Sequence, residues 1–523
     1  MQIYQISLQK KNFLRFLIIS SFARSKNRTI QQNMSNNEDI FKKVVSHSKE
    51  YGFVFQSSEI YDGLAAVYDY GQNGTALKRN IREYWWKAMV QMHENIVGID
   101  SAIFMHPKVW KASGHVDGFS DPMIDNKDSK KRYRADQLLE DRIEKYMKEG
   151  KSEKAGKLQI AMDEAQERED LAALRDLIVE HEIACPVSGT RNWTDVRQFN
   201  LMYSTQMGSV ADDSDTVYLR PETAQGIFVN FLNVQKTGRM KIPFGIAQTG
   251  KAFRNEIIAR QFIMRMREFE QMEMQFFVRP GTEMQWFEYW KEARLKWHKA
   301  LGTPDDKYRF HEHTKLAHYA NAAVDIEFDF PFGFKEVEGI HSRTDFDLKQ
   351  HQDASGKKMQ YFDADLDENG KPYGNYIPYV VETSIGLDRM FLLTLCNAYT
   401  EEEVVNGDKT ETRVVLRLPA VLAPIKLAIF PLTKKDGLPE KAREIMDDLK
   451  FDFECFYEEK DAIGKRYRRH DAIGTPFCVT IDHDSLVDNQ VTIRYRDTML
   501  QERVPIAELN SIIAKEVSWR NVL

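Results

Sequence analysis

Charged residues interrupt the strand-forming residues of Phe253–Phe277, which reads FRNEIIARQFIMRMREFEQMEMQFF. If its second half is a β-strand, residues two apart share a face. One face then carries Arg265, Arg267, Phe269, Gln271, Glu273 and Gln275. It is positive at its start, aromatic in its middle and negative at its end. Such a face could bind a polyphosphate, a flat base and an ammonium group in that order, whereas the ordinary alternative is a solvent-facing strand with cross-strand ion pairs.

The flanking patterns predict the elements that must position this strand. Apolar residues at helical spacing predict a helix over Thr75–Met92, followed by a strand that ends at Pro107. Val324–Leu348 alternates like strands, and Pro378–Tyr399 predicts a strand, a tight turn at Gly386 and an apolar helix. These segments together favour a large antiparallel sheet with one face open to ligand. The densely charged residues 137–182 predict a solvated helical insertion rather than core.

After Thr412 strands and helices alternate, which is typical of a compact α/β domain. The polar, Gly-containing stretch TEEEVVNGDKTET predicts the boundary between the two parts near residues 400–415. Within the second part, GKRYRRHDAIG predicts a helix with a local basic patch at Lys465, Arg466, Arg468 and Arg469.

Length and composition limit the possible classes of protein. The chain has 523 residues, of which 42% are hydrophobic and 29% charged, as in a globular protein with two to four domains. A net charge of −6 argues against a protein coated in basic residues but permits a local basic patch that binds nucleic acid. The four cysteines have no metal-ligand spacing, so we expect a reducing compartment, no disulfide framework and no zinc.

The first 37 residues contain six basic and no acidic residues, with a short apolar run, FLRFLIISSFA, that is too charged to span a bilayer. Met34 opens MSNNEDIFKK, a plausible alternative start. We therefore interpret residues 1–33 as an extension outside the working protein and expect a cytoplasmic location with no membrane association. A mitochondrial address is the alternative, and a secretory signal is disfavoured.

Three segments resemble the signature motifs of class II aminoacyl-tRNA synthetases. The helix and strand up to Pro107 resemble the first motif, FRNE with REFEQMEMQFF the second, and GLDR at Gly386–Arg389 the third. Longer blocks resemble the single-chain, homodimeric glycyl-tRNA synthetases from about Asn36 onward. They are SGHVDGFSDPM, KRYRADQL, YLRPETAQGIFVNF, GIAQTGKAFRNEI, EVEGIHSRTDFDL and YVVETSIGLDR. Some members of that family carry cysteine pairs near Cys185–Gly189, where this chain has one, so no metal is carried over.

The resemblance implies the fold and the reaction. We expect an α+β catalytic domain on an antiparallel sheet over residues 34–412 and a C-terminal α/β anticodon-binding domain over 413–523. The implied activity is ATP-dependent ligation of glycine to tRNA(Gly) through glycyl-adenylate, with Mg, in a homodimer whose interface shares residues such as Trp85 and Met89 with the core. The charged insertion is either a surface excursion or a tRNA-contacting arm. Two rivals stay open: a class II synthetase for threonine, proline or histidine, and a non-catalytic, tRNA-binding relative.

The resemblance also assigns the ATP site. Arg254 would bind the α-phosphate, Phe269 would stack on adenine, and Arg389 would bind the γ-phosphate or adenine's second face. Arg254, Glu382 and Arg389 are the expected catalytic residues, and Glu382 would hold Mg. The full ATP set is Arg254, Asn255, Glu256, Met264, Arg265, Met266, Arg267, Glu268, Phe269, Glu336, Val337, Gly386, Leu387, Asp388 and Arg389.

The same resemblance assigns the amino-acid and tRNA sites. The glycine set is Arg134, Glu222, Phe269, Glu270, Gln271, Met272, Glu273, Glu382, Thr383, Ser384, Ile385 and Gly386. Lys465, Arg466, Arg468 and Arg469 would contact tRNA, with a merely solvated basic helix as the alternative. No Ser–His–Asp or Cys–His constellation is evident, which suits a reaction without a side-chain nucleophile. His115 and His341 are accordingly interpreted as structural or binding residues.

Overall fold

The computed structural model describes residues 39–208, 216–257, 261–313, 316–317, 319–406 and 409–523. The predicted extension over residues 1–33 and the alternative start at Met34 lie outside these residues. No helix within the described ranges has both the length and the apolar character needed to cross a bilayer.

Strands and helices are numbered separately in chain order. The strands are β1 Val54–Gln56, β2 Tyr68–Tyr70, β3 Ile96–Gly98, β4 Ser120–Asn126, β5 Lys131–Arg134, β6 Arg197–Asn200, β7 Ser204–Gln206, β8 Thr216–Tyr218, β9 Phe244–Phe253, β10 Glu268–Val278, β11 Tyr308–Glu312, β12 Ala322–Phe330, β13 Gly333–Thr344, β14 Tyr361–Leu366, β15 Pro372–Tyr376, β16 Tyr379–Gly386, β17 Tyr399–Asn406, β18 Lys409–Leu416, β19 Leu427–Pro431, β20 Cys455–Tyr457, β21 Phe477–Ile481, β22 Gln490–Tyr495 and β23 Gln501–Pro505. The α-helices are α1 Gln72–Trp86, α2 Pro107–Ala112, α3 His115–Gly118, α4 Ala135–Lys148, α5 Ser152–Glu167, α6 Leu171–Glu180, α7 Ala224–Thr237, α8 Glu283–Lys299, α9 Phe346–Ser355, α10 Leu387–Ala398, α11 Leu438–Leu449, α12 Ile463–Ile473, α13 Ser485–Asp488 and α14 Leu509–Glu516.

A seven-stranded sheet in the order β11-β12-β13-β16-β10-β9-β3 forms the centre of the first part. All neighbouring strands are antiparallel except β3 and β9. The α/β region after it is a five-stranded sheet in the order β20-β19-β21-β22-β23. The expected fold class is therefore confirmed.

One face of the large sheet is buried. Met272, Met274, Ile340 and Ile385 alternate toward this face and belong to one hydrophobic cluster with residues of α1, α8 and α10. Because side chains alternate along a strand, the residues between them point to the opposite face. Part of that face is covered by α7, whose Phe228 and Phe231 lie in a second cluster with Phe244 and Phe277, and the uncovered part is the cleft described below.

Two details of the second and first motifs differ from expectation. β10 begins at Glu268, and Phe262–Met264 forms a 3-10 turn, so Arg265 and Arg267 are not part of the strand.

Trp85 and Met89 are 0% and 1% exposed within a single chain. The expectation that they are shared with a dimer interface is wrong, because they have no free area left to bury.

The charged insertion has a core of its own. The three-stranded sheet β5-β4-β6 packs with α4, α5 and α6 around a separate hydrophobic cluster that includes Ile124, Leu139, Leu158 and Trp193. The expectation of a solvated excursion without core is therefore wrong, because each helix keeps one apolar stripe among its charges. Cys185 is buried in this cluster, and its sulfur lies 3.2 Å from the Tyr133 hydroxyl oxygen.

Candidate active site

The cleft is built from neighbouring rows of residues that cross the large sheet, and the first row crosses four strands. Gln248 of β9 faces Glu273 of β10, Glu273 faces Ser384 of β16, and Ser384 faces Gly339 of β13. The next row contains Gln275, Glu382 and His341. Since the register fixes these rows, residues far apart in sequence meet on one face.

Glu273 lies at the acidic end of the cleft and is 3% exposed. Its carboxyl accepts hydrogen bonds from the Thr223 hydroxyl at 2.6 Å, the Ser384 hydroxyl at 2.7 Å and the Gln271 amide at 3.1 Å. Burial, reinforced by the negative charges of Glu382 and Glu222, raises the pKa of Glu273 to about 8. This carboxyl therefore keeps its proton to a higher pH than an ordinary glutamate does.

The two neighbouring carboxylates are charged because cations face them. Burial acts to raise the pKa of Glu382, but Arg343, 3.1 Å away, and His341, 2.8 Å away, outweigh it and lower the pKa to about 2. Burial opposes the same change at Glu222, where His115 at 3.5 Å and Arg343 hold the pKa well below its usual range. Three carboxyl groups thus converge on a partly neutralised pocket that suits a small ammonium ion.

Guanidinium groups and an aromatic ring line the other end of the cleft. Arg254 lies over the Phe269 ring, 5.3 Å from its centroid, and its Nε donates to the Pro221 carbonyl at 3.0 Å. Arg389 donates to the carbonyl oxygens of Met264 at 3.4 Å and Glu336 at 3.1 Å, and pairs with the Glu336 carboxylate at 3.0 Å.

The predicted residues divide into those that line the cleft and those that do not. The cleft lining includes the following members of the predicted ATP and glycine sets: Glu222, Arg254, Glu256, Met264, Arg265, Met266, Phe269, Glu270, Gln271, Glu273, Glu336, Glu382, Ser384, Gly386, Asp388 and Arg389. The side chains on the buried face of the sheet or in the core are Val337, Met272, Thr383, Ile385 and Leu387. Val337 is the extra residue of a β-bulge opposite Ile326 and Glu327, which turns Glu336 to the cleft.

Several other predicted residues are engaged elsewhere. Arg267 donates to the Glu256 and Ala65 carbonyl oxygens, and Glu268 pairs with Lys251 at 2.6 Å. Asn255 lines a different cavity, beside β4 of the insertion. These three side chains do not face the cleft.

Arg134 lies at the guanidinium end of the cleft rather than at its acidic end. It pairs with Asp136 at 2.6 Å and Asp121 at 3.3 Å. It lines a second cavity, which shares Arg265, Glu336 and Arg389 with the cleft. This position associates Arg134 with the predicted ATP residues rather than with the predicted glycine residues.

Sequence reasoning placed Gln275 on the cleft face but assigned no role at the acidic end to it, to Arg343 or to Gln225. Arg343 pairs with Asp347 at 2.8 Å and with Glu382, and Gln275 donates to Glu382 at 2.7 Å. Gln225 links Glu222 at 3.1 Å to Asp347 at 2.9 Å. A period of two through Gly339, His341 and Arg343 in EGIHSRTD was the available signal, because it continues the cleft face onto β13.

The basic helix α12 presents fewer free charges than its sequence indicates. Arg466 is 3% exposed and donates to the carbonyl oxygens of Pro431 and Asp461, so its predicted role in tRNA contact does not fit its position. Arg469 pairs with Glu458 at 2.5 Å and Asp461 at 3.0 Å. Lys465 is exposed and Arg468 half-buried.

Three family models match successive parts of the chain. The class II tRNA synthetase core domain (G, H, P, S and T) matches residues 203–398, the glycyl-tRNA synthetase insertion domain 1 matches 121–159 and 151–201, and an anticodon binding domain matches 426–516. The antiparallel sheet, its open cleft and these matches define a class II aminoacyl-tRNA synthetase.

Comparison with full-length relatives identifies the family within this class. The chain is 53% identical to a glycine–tRNA ligase of Chlorobaculum tepidum over 91% of this chain and 99% of the relative. It is 49% identical to that of Treponema denticola over 92% and 98%, and 51% identical to that of Borreliella burgdorferi over 91% and 97%. The chain belongs to the glycine–tRNA ligase family.

Proposed function

We propose that this cleft activates glycine with ATP and that the enzyme then transfers the glycyl group to tRNA(Gly). The observation that carries the proposal is the polarity of a single sheet face. It offers carboxyl groups at Glu222, Glu273 and Glu382, and an arginine over an aromatic ring at Arg254 and Phe269. The first set suits the glycine ammonium group, and the second suits the phosphate and base of ATP.

The chemistry requires two displacements and no protein nucleophile. A carboxylate oxygen of glycine attacks the α-phosphorus, an O–P bond forms, and the bond to the β-phosphate breaks to release pyrophosphate. A terminal hydroxyl of the tRNA then attacks the glycyl carbonyl carbon and AMP leaves. Arg254 would stabilise the negative charge that develops on the α-phosphate oxygens. The remaining contacts orient the two reactants in line.

Arg389 is better suited to adenine than to the γ-phosphate, the two roles left open by the sequence. Its Nε and one terminal nitrogen already donate to Met264 and to Glu336 in the plane of the guanidinium. A phosphate would need those in-plane donors, whereas a stacked base needs only the flat face. We propose that adenine lies between Phe269 and Arg389.

The class implies Mg, which would neutralise phosphate charge when bound with ATP. Glu382 does not fit as a ligand of Mg, because its carboxylate oxygens already accept hydrogen bonds from Gln275, His341 and Arg343. His341 and Arg343 are basic groups, and they already occupy the positions that a metal cation would need. Glu336 fits better. Its side chain is 48% exposed at the nucleotide end, and Arg389, opposed by burial, keeps its pKa below the usual range. Carboxylate oxygens of this kind are the ligands that Mg prefers.

Two further parts of the proposal come from the family resemblance. The enzyme would act as a homodimer, with the region around β3 at the interface. Helix α12 and its surroundings would contact the anticodon end of the tRNA, mainly through Lys465 and Arg468, because Arg466 and Arg469 are already engaged.

Pyrophosphate exchange into ATP, measured with each of the twenty amino acids, tests the proposal. Glycine should stimulate exchange, while alanine and serine should be poor substrates. Arg254→Ala should lower the rate by about a hundredfold, the scale of one lost transition-state charge contact. Arg309→Ala, which removes a surface arginine paired with Glu327, is the matched control. Equal stimulation by threonine, proline or histidine would favour a rival synthetase, and tRNA binding without any exchange would favour the non-catalytic relative.

A further inference from the structure

Four charged side chains meet where β10 begins, on the face of the sheet that packs against α1. Lys78 Nζ lies 2.7 Å from Asp388 Oδ1 and 3.4 Å from Glu270 Oε2, and Arg82 lies 2.5 Å from Glu270. Lys78, Glu270 and Asp388 are 7%, 6% and 2% exposed. Two cations balance two carboxylates, so removal of one cation would leave a buried negative charge without compensation.

One of these carboxylates also holds the backbone. The ladder between β10 and β16 ends at the pair Gln271 and Gly386, because the chain turns into α10 at Leu387. Beyond that pair, Asp388 Oδ2 accepts the backbone N–H of Glu270 at 2.7 Å. A side chain from the first turn of α10 thus replaces the next hydrogen bond of the ladder and fixes the start of β10 to α10.

The neighbours of this link are the two proposed adenine contacts. Phe269 immediately precedes Glu270, and Arg389 immediately follows Asp388. The distance between the aromatic ring and the guanidinium therefore depends on the link between Asp388 and the Glu270 backbone. If the hydrogen bond between Asp388 and the Glu270 backbone lengthened, the gap between Phe269 and Arg389 that receives the base would change. The acidic end of the cleft, built on Ser384 and Glu273, would keep its geometry.

We propose that Lys78 is a positioning residue for ATP, because it holds Asp388 on the Glu270 amide and so sets the spacing between Phe269 and Arg389. The proposal rests on the assignment of the ATP site above. Without the Lys78 charge, the Asp388 and Glu270 carboxylates would repel each other across the link. Tyr70 supports the same carboxylate, because its hydroxyl donates to Asp388 Oδ1 and its ring lies 4.1 Å from Lys78 Nζ.

Lys78→Met keeps most of the side-chain volume and removes the charge. We expect the KM for ATP in the exchange assay and the inhibition constant of adenosine to rise together by about tenfold or more, as for a displaced binding group. The KM for glycine and the inhibition constant of tripolyphosphate should change by less than about twofold, because those ligands do not use the adenine gap. Lys78→Arg should restore most of the adenosine affinity. Lys87→Met, which removes a lysine paired with Glu83 just after α1, should leave all four constants unchanged.

Equal losses for adenosine, tripolyphosphate and glycine would show a general structural defect and overturn the positioning role. A lower kcat with an unchanged KM for ATP would overturn it as well. If Lys78→Met does not fold, Asp388→Ala removes the acceptor of the Glu270 N–H that Lys78 holds, and an unchanged adenosine affinity in that variant would contradict the proposal. Calorimetric titration of adenosine tests the spacing directly, so failure of wild-type exchange would count against the proposed function rather than against Lys78.

Discussion

At the scale of single residues, the cleft separates three carboxyl groups by protonation state. Glu222 and Glu382 face cations, whereas Glu273 faces two hydroxyls and an amide. The hydroxyls can orient the Glu273 carboxyl, but they do not bring the positive charge that would keep it ionised. An incoming glycine ammonium group supplies that charge, so glycine binding and loss of a proton from Glu273 are coupled.

This coupling predicts a pH-dependent affinity for glycine. Burial raises the pKa of Glu273 to about 8, so the free enzyme gains a negative charge as the pH rises through 8. We expect kcat/KM for glycine to increase between about pH 7 and 8.5, because this ratio reports the ionisation of the free enzyme. Glu273→Gln should lower glycine affinity and abolish the rise, while Glu283→Gln, at the half-buried start of α8, should preserve it.

The raised pKa of Glu273 also predicts that the stability of the folded protein falls as the pH rises. In the folded protein the pKa of Glu273 lies above its ordinary value of 4.5. The contribution of Glu273 to the free energy of unfolding is therefore complete below pH 4.5 and is lost as the pH rises through about 8. Glu273→Gln should therefore raise Tm relative to wild type at pH 9 and have a smaller effect at pH 6. Equal Tm differences at both pH values, measured by calorimetry, would contradict a shifted carboxyl at this position.

At the scale of elements, period-two patterns identified most of the cleft face in advance. Phe269, Gln271 and Glu273 were predicted to share a face of β10, and the register brings Glu273 to Ser384. Strand periodicity cannot show which strands pair, however, so the contribution of Arg343 from β13 was missed. It also cannot locate the start of a strand, and Arg265 and Arg267 were placed on β10 although the chain forms a turn there.

Composition is a poor guide where charged residues surround an apolar stripe on a helix. The insertion was interpreted as solvated because residues 137–182 are densely charged, yet Leu139, Leu158 and Ile178 are nearly inaccessible. In α12 a run of basic residues was interpreted as one patch, yet a helix distributes neighbouring residues over all of its sides. Arg466 therefore faces the domain interior, while Lys465 and Arg468 do not.

This difference within α12 predicts separable phenotypes. Lys465→Glu with Arg468→Glu should raise the KM for tRNA and flatten the salt dependence of tRNA binding, because fewer counterions are released. The KM for ATP should not change. Arg466→Ala should instead lower the stability of the domain, since it leaves buried carbonyl oxygens without a donor. Filter binding across a salt series and thermal unfolding measure both effects, with Lys450→Glu on the surface of the same domain as the control.

At the scale of the whole molecule, the proposed dimer must use surface other than the buried residues of α1. β3 lies at one end of the large sheet, and in the chain segments that flank it Met92 and Phe104 are 61% and 55% exposed. Large exposed apolar side chains beside a sheet edge favour this region as the contact. Phe104→Glu should shift the mass measured by light scattering from dimer toward monomer, while Phe451→Glu, on the exposed surface of the C-terminal domain, should not. A wild-type monomer that still charges tRNA would contradict the dimer.

The catalytic body and the C-terminal domain are joined at several buried points. Arg413 of β18 is 1% exposed and pairs with Asp471 of α12 at 2.8 Å. His47 Nε2 lies 2.7 Å from the Ala472 carbonyl oxygen of α12, whereas Asn80 of α1 donates at 3.1 Å to the carbonyl oxygens of Leu422 and Ala423, which precede β19. The predicted boundary at residues 400–415 is occupied by the hairpin β17–β18, and Leu416, Leu418 and Leu422 beyond it belong to the core of the catalytic body.

These contacts predict where the chain can be cut without loss of activation chemistry. A chain that ends at Thr412 would divide β18 and remove Leu416, Leu418 and Leu422 from the core, so we expect it to unfold or aggregate. A chain that ends at Pro424 keeps the hairpin and the carbonyl partners of Asn80, and loses contacts such as the Arg413–Asp471 pair and the stacking of Trp519 on Tyr84. It should keep glycine-dependent pyrophosphate exchange while its transfer of glycine to tRNA weakens.

The two truncated chains therefore distinguish removal of a separate domain from disruption of the catalytic core. Thermal unfolding establishes that each chain is folded, exchange measures activation, and the KM for tRNA measures the loss of the distal contact. Arg413→Ala in the full-length chain removes the buried pair with Asp471 and should weaken tRNA charging more than exchange, because it frees α12 while the cleft keeps its residues. Loss of exchange in a folded chain ending at Pro424 would instead show that the C-terminal domain supports the active site through α1.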